Sequence, residues 1–199
     1  MEISSLSVGS MDNNAYLLTD SGEGLLVDAA ADPLALLSLI GDTPIGTIVT
    51  THRHRDHIGA LADLAQHTGA ELVAGEPDAD AIASATGMTI DRRVWDGDTV
   101  RVGTAELDVI GLVGHTPGSI ALAYSPAGGP AELFTGDSLF PGGVGRTNSP
   151  DDFTSLYSDV VGKLFDRFPD NAVVHPGHGD ATTLGAERPH LPEWRARGW

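Results

Sequence analysis

The sequence predicts a single α/β or α+β domain running through residues 1–199. Three observations carry that expectation. Short apolar runs of strand length alternate with stretches of helical spacing along the whole chain. The alternation falls into two similar halves, the pattern of sheets packed together with helices outside. The 199 residues, 41% apolar and 20% charged, are enough to bury one core without crosslinks.

Taken in order, residues 2–8 and 14–20 read as strands joined by the turn-rich Gly9-Ser10-Met11-Asp12-Asn13. Gly24-Leu25-Leu26-Val27-Asp28 reads as a buried strand. A helix follows to Ile40, with Asp32 as its N-cap, Pro33 in its first turn, and Gly41 and Pro44 to end it. Strand 46–50 comes next, then a helix over 58–67 with Leu61, Leu64 and Ala65 on one face. Strand 71–74 leads to an alanine-rich helix over 78–86. Strands are expected at 99–102, 105–110, 119–124 and 131–135, a helix at 151–165, a last buried strand at 172–174 and a short helix from Ala186.

Composition narrows the function. The chain has no cysteine, so it forms no disulfide and any metal must be held by His, Asp or Glu. Its net charge is −17 and Lys163 is its one lysine. Such a surface repels phosphate backbones and anionic lipid, which argues against nucleic-acid or membrane partners and for a small-molecule substrate. The start, Met1-Glu2-Ile3-Ser4, has neither the basic nor the apolar region of a signal peptide, and no apolar run approaches membrane-spanning length. The expectation is a cytoplasmic protein; its oligomeric state stays open.

Chemistry concentrates in Thr51-His52-Arg53-His54-Arg55-Asp56-His57-Ile58-Gly59. His52 and His54, two residues apart in an extended turn, point the same way. Imidazole is the commonest ligand for zinc-like ions, and a carboxylate neutralises their charge. Four potential ligands in six residues exceed what one ion takes from so short a segment, which points to two ions and to further ligands elsewhere. The candidates are His115, Asp137 and His178, each following an apolar strand and flanked by glycine. His67, His175 and His190 read as structural or exposed.

The set His52-x-His54-x-Asp56-His57, His115, Asp137 and His178 resembles the ligand signature of the metallo-β-lactamase superfamily. Gly114-His115-Thr116-Pro117-Gly118-Ser119, Gly136-Asp137-Ser138-Leu139-Phe140, Gly145-Arg146-Thr147 and the segment from Pro176 to Arg188 are similar to its hydroxyacylglutathione hydrolase (glyoxalase II) branch. The similarity is to short members without a separate C-terminal helical domain. This resemblance implies an αββα sandwich with metals at one edge of its sheets. It implies that His52, His54 and His115 bind one ion, that Asp56, His57 and His178 bind a second, and that Asp137 bridges them. Two divalent ions are expected, zinc first, with iron or manganese as alternatives.

The implied reaction is hydrolysis of a thioester by a metal-bridging hydroxide, with Asp56 orienting that hydroxide. Two alternatives share the residues: a persulfide dioxygenase with one iron on His52, His115 and Asp137, and a lactonase. Arg146 and Tyr16 are candidate substrate contacts, with Asn13 and Asn14 beside them; Arg146 also has a structural reading and Tyr16 a packing one. The branch's usual Glu-Arg-x-x-Asn-Pro ending becomes Glu187-Arg188-Pro189-His190-Leu191-Pro192 here, which leaves the thiol open.

Overall fold

Successive residues of a strand face opposite ways, and in this chain both parities are apolar, so the strands must be covered on both faces. The computed structural model describes residues 1–198. In the first half lie β1 (Glu2–Val8), β2 (Asn13–Asp20), β3 (Glu23–Val27), α1 (Pro33–Ile40), β4 (Ile45–Thr50), α2 (Leu61–Thr68), β5 (Glu71–Gly75), α3 (Glu76–Thr86) and β6 (Arg92–Val94). Its strands pair in chain order, antiparallel as far as β3 and parallel from there.

The second half begins with β7 (Thr99–Val102), β8 (Ala105–Gly111), β9 (Ile120–Tyr124) and β10 (Glu132–Gly136). A hairpin of β11 (Leu139–Phe140) and β12 (Gly143–Val144) follows, then α4 (Pro150–Asp159), β13 (Val173–Pro176), β14 (Thr182–Thr183), α5 (Leu184–Glu187) and α6 (Leu191–Arg197). The second sheet has the order β14-β13-β10-β9-β8-β7, with β10 and β13 parallel.

The side chains sort into three apolar layers. Leu18, Leu25, Val27, Val49 and Val73 of the first sheet meet Val100, Leu107, Val109, Leu122 and Phe134 of the second. The other parity of the first sheet, including Leu17, Leu26, Ile48 and Leu72, packs under Leu36 of α1, Leu64 of α2 and Ile82 of α3. Ile110, Ala121, Leu133 and Val174 pack under Leu156 of α4 and Trp194 of α6. The result is the expected four-layer αββα sandwich. Among the described residues no helix is long and apolar enough to cross a membrane.

Departures from expectation are local. β6, β11, β12 and β14 were not foreseen; they are two or three residues long, and Arg92, Arg93, Thr182 and Thr183 carry no apolar signal. α3 starts at Glu76, because Pro77 suits a first helical turn. The helix expected over 151–165 is α-helical to Asp159, then π-helical over Val160–Phe165. The helix expected over 58–67 starts only at Leu61, as α2, and a 3-10 turn at Arg55–His57 precedes it. Asp32 does cap α1, its carboxylate accepting from the Ala35 amide at 3.4 Å.

Candidate metal centre

Four strand ends converge on one edge of the sandwich. β4 runs into the His52–His57 loop, β8 into the loop bearing His115, β10 into Asp137 and β13 into His178. Because β10 and β13 are parallel neighbours, with Gly136 opposite Pro176, the last two residues emerge side by side. An isolated bridge from Asn13 to His178 closes the edge.

All seven predicted ligands come together. One potential ligand atom each from His52, His54, His115 and Asp137 lies within 4.8 Å of the others, and Asp56, His57 and His178 form a second such group. Asp137 stands between them. Its Oδ2 is 3.5 Å from His115 Nε2 and 3.5 Å from His178 Nε2, and its Oδ1 is 3.3 Å from His57 Nε2.

The outer nitrogens of four rings are already committed. His57 Nδ1 is 2.7 Å from Asp28 Oδ2, His115 Nδ1 is 2.8 Å from the Arg146 carbonyl, and His178 Nδ1 is 2.8 Å from the Met11 carbonyl. His52 Nδ1 is 3.0 Å from Thr51 Oγ1. When such a ring is neutral, donating outward leaves its Nε2 lone pair aimed inward, the arrangement that outer hydrogen bonds impose on metal-binding histidines. Those lone pairs face one another: His52 and His115 Nε2 are 3.3 Å apart, and His57 and His178 Nε2 are 3.2 Å apart. Facing lone pairs repel unless a cation, whether a proton or a metal ion, lies between them. The buried Oδ1 of Asp137, with no hydrogen-bond donor among the described residues, is a further site for one. A Cβ at Gly177 would strike that same Oδ1 and the His57 ring, so only glycine fits there. The donor set therefore fits divalent cations.

Electrostatics at the site are polarised. Burial pushes His52 well below the ordinary histidine range, with the charge on His57 acting the same way. Burial opposes charge on His57 too, but the carboxylates of Asp28 and Asp137 overcome it and push its pKa up to about 10. Asp137 is buried as well, yet the His178 and His57 rings beside it, and the positive charge on His57, hold its carboxyl far below the usual range. The bond to Asp137 raises His178, and burial lowers His54.

The candidate substrate contacts separate. Tyr16 is buried, with its hydroxyl donating to the Pro176 carbonyl at 2.6 Å and its ring edge-on to Phe134, so the structure does not bring it to the cleft. Asn14 donates to the Pro176 and Gly179 carbonyls, and Asn13 donates to Asp56 Oδ2 at 2.9 Å. These side chains of β2 hold the ligand loops. Arg146 is exposed, and its guanidinium has no carboxylate partner among the described residues. It lies at one side of a cavity of about 1080 Å³ lined also by Ser149, Phe153, Tyr157, Val161 and Arg195. His67 and His190 are exposed, and His175 pairs with Glu132 at 2.7 Å, away from the centre.

Asp28 escaped the sequence reading. It is 1% exposed, has a positive φ of 59°, and accepts from the Thr51 amide at 2.7 Å and Thr51 Oγ1 at 2.8 Å while holding His57. The available signal was a carboxylate closing the apolar run Gly24-Leu25-Leu26-Val27, the same strand-then-acid pattern that marks Asp137.

Comparison with known proteins identifies the family. The family model described as Metallo-beta-lactamase superfamily matches residues 8–178. The hydroxyacylglutathione hydrolase GloC of Haemophilus influenzae is 30% identical over 211 residues, covering 96% of this chain and 97% of its own. The hydroxyacylglutathione hydrolase of Polaromonas sp. is 35% identical over 170 residues, covering 83% of this chain but 62% of its own. Among solved structures, ETHE1 from Myxococcus xanthus superposes with a TM-score of 0.83 at 28% identity, covering 98% of this chain and 85% of that one. TTHA1623 in a di-iron-bound form superposes at 0.74 with 32% identity, over 92% and 96% of the two chains. The chain belongs to the metallo-β-lactamase superfamily.

Proposed function

We propose that this chain is a binuclear metal-dependent hydrolase that cleaves thioesters of small acyl-thiols. His52, His54 and His115 would hold one ion, Asp56, His57 and His178 the other, with Asp137 shared. The observation that carries the reading is the placement of Asp137, whose two oxygens turn to histidines of both groups. Bound there, divalent ions supply Lewis acidity at the acyl carbonyl and lower the pKa of a water towards neutrality. Zinc is the proposed metal; the di-iron form of one relative shows that iron also suits the fold.

The chain's own groups do the rest. Burial opposes ionisation of Asp56, but the bond from Asn13 and the charge on His57 outweigh it and hold its pKa below the ordinary value. An ionised carboxylate there can orient the attacking water and take its proton. A thiolate leaves readily, so no strong general acid is required. Arg146, unpaired and next to the carbonyl hold on His115, is placed for an anionic group on the thiol, and the cavity beside it has room for the non-reacting part. The −17 charge favours a small molecule over nucleic acid or a lipid surface as partner, and the protein is proposed to work in the cytoplasm.

The test is metal content of the protein purified from its native host, followed by turnover of a panel of acyl-thiols and lactones. Two metals per chain with thioester cleavage is the expected result. Preference for lactones keeps the metal centre and overturns the substrate. One iron on His52, His115 and Asp137, with oxygen uptake on a persulfide, overturns the hydrolase reading in favour of a dioxygenase.

A further inference from the structure

Asp78 is fully buried, and its hydrogen bonds go to none of the seven candidate ligands. It lies in the first turn of α3, where the helix dipole favours a carboxylate. Its Oδ2 accepts from the Arg53 amide at 3.1 Å and from Thr116 Oγ1 at 2.6 Å. Its Oδ1 accepts from the Gly118 amide at 3.1 Å, with Arg53 Nε at 3.6 Å. Arg53 lies between His52 and His54, and Thr116 directly follows His115. One carboxylate thus joins the loop from the first sheet to the loop from the second.

The packing around it leaves no slack. A Cβ at Gly118 would strike the backbone nitrogen and carboxyl of Asp78, and a Cβ at Gly75 would strike the Gly118 carbonyl. The loop after His115 therefore rests on the start of α3 with no side chain between. The other ligand group is held by different residues: Asp28 on His57, Asn13 on Asp56 and the Met11 carbonyl on His178.

We propose that Asp78 is a positioning residue for the His52–His54–His115 group: its buried carboxylate, shared between Arg53 and the Thr116–Gly118 turn, sets the separation of the two loops that form that group. This rests on the metal-binding reading above. Loosening the tie then weakens one metal site and spares the other.

The experiment compares wild type, Asp78→Asn and Thr116→Val as full chains. Asparagine keeps an acceptor on one side only, and Thr116→Val removes the hydroxyl bonded to Asp78 and to Ser119 Oγ while leaving the carboxylate in place. Zinc affinity is measured by competition with a chelator, and histidine ring resonances identify which group fills. In wild type both groups fill. In both variants the weaker zinc is expected to be the one that shifts His115, with affinity reduced by about tenfold or more, while the zinc that shifts His178 binds as before. A second readout needs no metal: amide exchange at Arg53 or Gly118, whichever then faces the asparagine NH2, should quicken by about tenfold or more in metal-free Asp78→Asn, while the Thr51 amide, held by Asp28, stays protected. Equal weakening at both groups, unchanged affinity at both, or unchanged exchange at Arg53 and Gly118 overturns the proposal. If Asp78→Asn does not fold, Thr116→Val decides. A wild type that binds no zinc overturns the metal reading instead, and the exchange rates still judge the tie.

Discussion

Replacing Asp28 by asparagine tests how the ring of His57 is held. The aspartate accepts three donors within 2.8 Å: the Thr51 amide, Thr51 Oγ1 and His57 Nδ1. Asparagine can keep the Thr51 amide on its oxygen, but its amide group then meets His57 Nδ1 with a proton of its own. Two donors cannot share that contact, so the neutral imidazole, the form a metal takes, is left with its proton on Nε2. That atom faces Asp137 and is the one a metal would take. Binding must then restore the unfavourable tautomer and forgo a hydrogen bond to a charged group, worth about 1.5–3 kcal/mol. At about 1.4 kcal/mol per tenfold, the zinc at the Asp56–His57–His178 group should weaken by about 10- to 150-fold, in line with the usual effect of losing such an outer partner. Chelator competition gives the affinity, and nitrogen-15 shifts of the imidazole report the tautomer. An Asp28→Asn protein that binds zinc within about threefold of wild type, with its His57 proton still on Nδ1, refutes this reasoning.

Three further outcomes follow from named contacts. Tyr16→Phe deletes the bond to Pro176 and should cost about 0.5–1.5 kcal/mol at neutral pH by urea unfolding. Burial holds the Tyr16 phenol far above the usual range, so the unfolded chain loses that proton first; above about pH 10 the wild-type advantage should shrink by about 1.4 kcal/mol per pH unit, and a constant gap would contradict this. Gly177→Ala places a methyl against Asp137 and His57 and should abolish stoichiometric zinc binding at a stability cost of about 1–3 kcal/mol; a fully loaded variant would show that the loop yields. Glu187 is buried and accepts from the Gly142 amide and Thr182 Oγ1, so Glu187→Ala should lower stability by about 1–3 kcal/mol in urea while zinc stoichiometry stays that of wild type.

Much of the fold was legible because its strands are buried on both faces, which writes them as apolar runs such as Leu25-Leu26-Val27. The seven ligand candidates were legible for a related reason: each is a polar residue at the end of such a run or in the loop it feeds. Short polar strands such as β14 leave no such mark; its pairing comes from β13. The residues that hold the ligands were the hardest to read. Asp78 looks like an ordinary acidic residue at a helix start, and its partners at Thr116 and Gly118 are 38 and 40 residues away. Tyr16 looks available for a cleft until its hydroxyl finds Pro176, 160 residues on. Local sequence shows that a group is polar, whereas its partner is a property of topology.

The ligand groups do not divide as the sheets do. His52 and His54 come from the first sheet's loops and His115 from the second's, and Asp56 and His57 meet His178 in the same crossed fashion. Neither half of the chain carries a complete set, so ions bound at this edge would clasp two layers whose shared interior is apolar. Metal loading then becomes a gauge of sheet registry. A core change deep in the sandwich that slid one layer by an ångström would be felt first as lost metal affinity, before any loss of secondary structure.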